Sequence, residues 1–145
     1  MIIADLTLGQ WHEAVALRHE AGLIRPWNDA EQDLRRAMSG PASTVLAAND
    51  ASTRLVGTAM VGHDGHRGWV YYLAVASAAQ RQGVGSALMA ACEGWVAKRH
   101  MGKLQLMVRS TNPDALGFYE ALGYLPGDVR VLSRSLSLDP GSDPR

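Results

Sequence analysis

The chain has 145 residues, 14 basic and 14 acidic side chains and a single cysteine. That length holds one ordinary domain with one core; zero net charge argues against a dedicated nucleic-acid binder, which carries a basic excess or stripe; and one cysteine excludes an internal disulfide or a cysteine-rich zinc site. The N-terminus lacks a charged start followed by an apolar run, and no stretch of about 18 apolar residues occurs, so a cytoplasmic, reducing location is expected.

In chain order, residues 2–6 (IIADL) predict a first strand, and residues 8–21 a helix with Trp11, Ala14, Val15 and Leu17 on its apolar side. Pro26 breaks the chain. Asn28, with Glu31 three residues on, has the form of a capped helix start and predicts a helix over 29–39, stopping at Gly40-Pro41. Residues 44–49 and 54–61 read as strands joined by a polar turn. The loop 62–68 (GHDGHRG) leads into a fourth strand, 69–76 (WVYYLAVA). A helix over 83–100 carries Val84, Leu88, Ala91 and Trp95 in its stripe, and Cys92 reads as a small buried hydrophobe within it. Residues 103–109 predict a fifth strand. Pro113 suits the first turn of a helix to Leu122, closed by Gly123. Residues 128–136 (DVRVLSRSL) predict a last strand able to pair or swap across a dimer. The domain is expected over 1–137, with a disordered tail over 138–145. Strands flanked by helices without strict alternation predict a mixed α/β sheet with helices on its faces.

The stretch 80–86 (QRQGVGS) places two glycines where a helix should begin. Glycine costs a helix about 1 kcal/mol against alanine. The compensation lies in what a helix start offers: unpaired N–H groups and the positive end of the dipole, which together bind phosphates. A nucleotide P-loop would need a lysine after Gly85, where Ser86 stands; a dinucleotide fingerprint would need a third glycine, where Leu88 stands.

The remaining pattern, Gln80-x-x-Gly83-x-Gly85, resembles the coenzyme-A diphosphate loop of the GNAT (GCN-related) superfamily of N-acetyltransferases. About 30 residues on, Asn112-Pro113-Asp114-Ala115-Leu116-Gly117-Phe118-Tyr119 and the following Glu120-Ala121-Leu122-Gly123-Tyr124 resemble the family's second signature, N-x-x-A-x-x-x-Y-x-x-x-G-[FY]. The stretches 23–29 (LIRPWND) and 62–68 look like the YpeA-like bacterial branch. The resemblance implies a mixed, mostly antiparallel sheet of six to seven strands with about four helices on its two faces and splayed central strands. It implies acetyl-coenzyme A as co-substrate, no metal, and an amine acceptor that is a small molecule, a peptide or a protein. It places the diphosphate on Gln80, Arg81, Gln82, Gly83, Val84, Gly85 and Ser86, and the pantetheine arm along Leu73, Ala74 and Val75, with Asn112 and Tyr119 close by. It makes Tyr119 the general acid for the leaving thiolate and a strand N–H the donor to the acetyl carbonyl.

The base departs from the pattern. Relatives that acetylate protein N-terminal amines carry a glutamate where Met107 stands, and methionine takes no proton. Asp64 or His63 is the expected substitute, with His66 and Asp29 nearby in the reading. Arg25, Trp27 and Asp29 fall where the family builds its acceptor wall, with His66 and Tyr71 as further acceptor contacts. The acceptor sets how much base is needed. A lysine amine of pKa about 10.4 costs about 4.6 kcal/mol to neutralise at pH 7, and an α-amine of about 7.7 only about 1 kcal/mol. The alternative to an enzyme is a coenzyme-A-binding sensor or assembly module that keeps the fold without transfer.

Overall fold

The computed structural model describes residues 1–26 and 28–136. The expected tail over 138–145 and Trp27 lie outside the described residues. Strand β1 (Ile2–Asp5) is followed by a short 3-10 turn (Leu8–Gln10), helix α1 (Trp11–Glu20), helix α2 (Ala30–Met38), then β2 (Ser43–Asn49), β3 (Leu55–His63) and β4 (Gly68–Val75). A second 3-10 turn (Ser77–Ala79) leads to α3 (Val84–Ala97), β5 (Leu104–Leu106) and α4 (Pro113–Ala121). The strands form one sheet in the order β1-β2-β3-β4-β5. The first three pairings are antiparallel and β4–β5 is parallel. This is the mixed, mostly antiparallel α/β architecture expected, with five strands among the described residues in place of six or seven. The difference lies at the C-terminus, where residues 128–136 carry no strand.

Both faces of the sheet are covered, and β2 shows why its sequence is a continuous apolar run. Val45 and Ala47 pack with Leu17 of α1 and Leu34 and Ala37 of α2; Leu46 and Ala48 pack on the other face with Leu88, Met89 and Cys92 of α3. Side chains alternate faces along a strand, so a strand buried on both sides keeps no polar alternation. Each fully buried Leu or Val contributes about 1.5–3 kcal/mol.

Two glycines let α3 lie close on the sheet. A Cβ on Gly57 of β3 would come within 2.8 Å of Val84 and 2.9 Å of Leu88, and one on Gly68 of β4 within 2.6 Å of Val96. The buried stripe of α3 is Val84, Leu88, Met89, Cys92 and Val96. Ala91 and Trp95, expected in that stripe, lie at its margin, half-buried against the same cluster. The cap of α2 also shifts by one residue: Asp29, not Asn28, accepts the Gln32 N–H at 3.0 Å. Among the described residues no helix is long and apolar enough to cross a membrane.

Candidate active site

The centre of the site is a bulge in β4. Met60 pairs with Tyr71 and Thr58 with Ala74, so Tyr72 and Leu73 together face the single residue Ala59. Tyr72 adopts φ +54°, a left-handed backbone that costs a bulky residue about 1–2 kcal/mol. The bulge changes the phase of the strand. Gly68 donates its N–H to Lys103 on the β5 side, whereas Ala76 donates to Val56 on the β3 side. These residues share parity, so an unbroken strand would send both the same way. After the bulge, Leu73 and Val75 therefore direct their backbone groups away from β3. On that side β5 has already ended at Leu106, having paired only with residues 68–70. The strands are splayed, and the cleft between them presents backbone donors.

Three side chains that sequence reasoning missed hold the bulge. The Tyr72 hydroxyl donates to Asp33 of α2 at 2.8 Å. The Arg18 guanidinium of α1 lies 4.2 Å from the Tyr72 ring centroid. Arg18 is wholly buried, and none of its three guanidinium nitrogens has a hydrogen-bond partner among the described residues. Burial pulls its pKa down, partly offset by Tyr72 and Asp33. Burial, then the bond to Asp33, pushes the Tyr72 phenol up to about 12. One signal was available: positions 11, 14 and 18 share a helical face, so Arg18 falls on the apolar side of α1.

At the C-terminal end of β4 the chain turns into α3. Gly83 is the N-cap at φ +81°, without a side-chain cap, and nothing lies within 4 Å of where its Cβ would be. The first-turn N–H groups of α3 have no intrahelical partner. Arg81 is left-handed too, at φ +62°. A Cβ on Gly85 would meet Phe118 of α4 at 3.1 Å, so this glycine serves the approach of α4 to α3. Glu20 ties the turn in place, accepting the Ser77 N–H at 3.1 Å and its hydroxyl at 2.5 Å. Such a cradle fits a diphosphate.

Tyr119 sits on α4 beside it. Its ring makes edge contacts with Phe118 at 5.0 Å and Tyr124 at 6.0 Å. Its hydroxyl has no hydrogen-bond partner among the described residues. Burial, with a smaller effect from Cys92, pushes the phenol up to about 12. Asn112 caps α4, accepting the Ala115 N–H at 3.1 Å, which engages its carbonyl oxygen and leaves its NH2 group without a partner among the described residues. Cys92 is buried and its thiol is pushed up to about 12, first by burial, so it carries no thiolate at neutral pH.

Asp64 and His63, the expected bases, both lie at the β3–β4 turn. Asp64 accepts the N–H groups of Arg67 at 2.8 Å and His66 at 2.9 Å, and the Trp69 indole N–H at 3.3 Å. These bonds, the backbone ones first, hold its carboxylate down at about 2. A carboxylate that acidic is a poor proton acceptor. His63 Nδ1 accepts the Gly65 N–H at 3.1 Å, and the centroid of its ring lies 6.0 Å from that of the Trp95 ring. Both residues close the β3–β4 turn. Along β4, Tyr72 lies four residues beyond Gly68, about 13 Å at strand rise, so the turn stands well away from the bulge. His66 is exposed in the same turn.

Two residues of the expected acceptor wall make local contacts. Arg25 spends its guanidinium on the carbonyls of Gly22 at 2.7 Å and Ile24 at 3.1 Å, and Asp29 is a helix cap. Tyr71 does face a pocket, of about 490 Å³, that it shares with Asn28, Asp33, Ser43, Met60 and Tyr72. Asp33 there also pairs with Arg36 at 2.7 Å.

A splayed β4–β5 pair, a bulge at the splay and a glycine-opened helix start are on one strand-loop-helix unit. The model of the Acetyltransferase (GNAT) family matches residues 10–124. The chain belongs to the GNAT acetyltransferase family. Solved structures share the fold at low identity. A transcriptional regulator from Bacillus halodurans C-125 superposes with a TM-score of 0.79 at 22% identity, covering 92% of this chain and 97% of that one. AAC(6')-Iy, solved with the bisubstrate analogue CoA-S-monomethyl-acetylneamine, gives 0.78 at 15% identity, over 94% and 98%. A ribosomal-protein-alanine N-acetyltransferase from Brucella melitensis biovar Abortus 2308 gives 0.73 at 20% identity, over 92% and 99%. Within this GNAT chain, the described residues hold no group of three or more His, Cys, Asp or Glu side chains that could hold a metal ion.

Proposed function

We propose that this GNAT protein transfers an acetyl group from acetyl-coenzyme A to a primary amine, by direct attack in a ternary complex. The observation that carries the reading is the Tyr72–Leu73 bulge, which turns β4 donors into the cleft that β5 leaves open. In this reading the diphosphate lies on the N–H groups at residues 82–86 and the pantetheine arm runs along Leu73–Val75. The Leu73 N–H polarises the acetyl carbonyl; one preformed donor in acyl transfer is worth about 3 kcal/mol. The amine nitrogen bonds to the carbonyl carbon, the carbon–sulfur bond breaks, and Tyr119 gives its proton to the departing thiolate. The proton shed by the new ammonium leaves through water and restores the phenol.

The acceptor enters from the pocket around Asp33, Ser43 and Tyr71. That wall carries Asp33 together with its partner Arg36, and holding both substrates in place supplies several kcal/mol of the barrier. Deprotonation falls to water, which suits an amine of low pKa. The absence of a carboxylate at Met107 and the engagement of Asp64 in its turn favour one second reading, a coenzyme-A-binding module without turnover. Calorimetry with acetyl-coenzyme A, followed by thiol release against a panel of α-amines, lysine peptides and polyamines, separates them. Binding with release on one amine class is expected. Binding without release on every amine would favour the module, and no binding would end both readings.

A further inference from the structure

The end of α4 folds back on Tyr119. Gly123, the residue after the cap Leu122, is left-handed at φ +92°. Its N–H bonds Glu120 O at 3.0 Å, and the Tyr124 N–H bonds Tyr119 O at 3.0 Å. This paired closure of a helix end returns the second residue past the cap to the third residue before it. Tyr124 is therefore brought onto Tyr119, and their rings meet edge-on, with centroids 6.0 Å apart and planes at 77°.

Tyr124 is held at its other end as well. Its hydroxyl donates to Oε1 of Glu93, on α3, at 2.6 Å. A hydroxyl–carboxylate bond of this length is charge-assisted and about twice as strong as a neutral one. Burial first, then the bond to Glu93, pushes the Tyr124 phenol above its ordinary value, so its hydrogen stays in that bond. Phe118 meets the Tyr119 ring at 5.0 Å and packs where Gly85 opens the start of α3. Tyr119 thus touches two rings, and each is referred to α3, one by packing on Gly85 and one by a bond to Glu93. Helix α4 has nine residues and buries none of them fully, so packing alone holds it less firmly than a core helix.

We infer that Glu93 and Tyr124 are positioning residues for the acid of the reaction: the Glu93 carboxylate fixes the Tyr124 ring, and that ring fixes the Tyr119 phenol against the departing thiolate. The inference rests on the role of Tyr119 in the proposed function. Tyr124 gives no proton to substrate, because its hydrogen is committed to Glu93. Placement matters because a displacement of about 1 Å at a reacting group can cost about 10²-fold in rate.

The test uses the full chain. The kinetic probe is thiol release from acetyl-coenzyme A with the panel amine that the parent acetylates. Tyr124→Phe keeps the ring and deletes the bond. Its turnover is expected to fall roughly fivefold, with the KM for acetyl-coenzyme A within about twofold and the melting temperature within a few degrees. Glu93→Ala should match it. Glu93→Gln, whose amide oxygen still accepts, should restore at least about half of the parent turnover. In a Tyr119→Phe background neither Tyr124→Phe nor Glu93→Ala should lower turnover further, because no acid is left to position. NMR relaxation of the tyrosine ring carbons, with coenzyme A added, reads the same effect without an acceptor. The Tyr119 ring should be ordered in the parent and mobile in Glu93→Ala. If Tyr119→Phe turns over like the parent, or the parent releases no thiol on any amine, the acid reading fails and the inference with it. If Tyr119→Phe is impaired and Tyr124→Phe and Glu93→Ala are not, the inference alone fails. Losses that persist in the Tyr119→Phe background, a Glu93→Gln as slow as Glu93→Ala, or a Tyr119 ring equally mobile with and without Glu93 would each overturn it too.

Discussion

The Arg18 guanidinium lies 4.2 Å from the ring centroid of Tyr72, the residue whose left-handed backbone makes the bulge. A buried cation with no hydrogen bond is costly, and the ring face offsets that by about 0.5–2 kcal/mol. Stability and activity should therefore part company here. Arg18→Met removes the desolvated charge and keeps most of the volume. It is expected to leave the melting temperature within a few degrees of the parent, or raise it. Turnover should fall several-fold as the bulge loosens, with the KM for acetyl-coenzyme A little changed. Thermal melts and steady-state kinetics on the same preparation check this; a large drop in melting temperature would show that the charge itself stabilises the fold.

Tyr72→Phe tests the other side of the contact. It deletes the bond to Asp33 and leaves a carboxylate that still has Arg36. A lost hydrogen bond of this kind costs about 1 kcal/mol, or more where the acceptor is charged. The expected result is a modest loss in urea stability and a rise in KM for the amine, because Asp33 then shifts in the acceptor pocket. An unchanged amine KM would remove Asp33 from acceptor binding.

Tyr119→Phe should lower turnover at least about tenfold and leave acetyl-coenzyme A binding within a few-fold. The pH profile carries a sharper prediction. A phenol raised to about 12 stays protonated through the whole working range. An acid with that pKa is lost only as pH rises through about 12, so the parent rate should show no descending limb from Tyr119 below about pH 11. A limb between pH 8 and 10 that vanishes in Tyr119→Phe would show a far more acidic phenol.

Asp64 belongs to the turn, and its substitution should show it. The carboxylate is depressed to about 2, so its contribution is complete above the ordinary carboxylate pKa and is lost as pH falls through about 2. Protection of the His66 and Arg67 amides should persist to about pH 3 and then fail. Asp64→Ala should remove that protection at neutral pH and leave turnover within about threefold, against the 10²–10⁴-fold expected for a general base. A loss of a hundredfold would restore Asp64 as the base.

Much of the fold was legible because particular residues carry local instructions. Pro113 marks the start of α4, and this first-turn proline appears as read. Gly83 sets the start of α3 in the same way. What the sequence hid was tertiary. The bulge lies inside WVYYLAVA, a run apolar on both faces, where no alternation marks a change of phase. Arg18 and Asp33 gain meaning only when α1 and α2 bring them to Tyr72. Residues 128–136 have strand composition, but a strand exists only with a partner, and composition does not supply one. The bonds that Asp64 makes within its own turn were hidden too, because a side chain bonding its own turn has the same sequence as one facing a substrate.

Gly68 ties the fold to the site, and its replacement should damage both. A Cβ there would lie 2.6 Å from both Val96 methyl groups, inside the packed core of α3 on the sheet. Overpacking of this kind costs about 1–3 kcal/mol. Gly68 also donates the N–H that starts the β4–β5 pairing, to Lys103 O at 2.9 Å. Pushing α3 outward should therefore tilt β4 and change the splay. Gly68→Ala is expected to lower stability in urea by about 1–3 kcal/mol and to weaken acetyl-coenzyme A binding, although residue 68 lies at the far end of β4 from the start of α3. The companion Val96→Ala removes the two methyl groups that the new Cβ would strike. In the double variant the two losses should be less than additive, since the cavity and the added methyl occupy the same space. Strict additivity in urea melts would show that α3 moves for another reason.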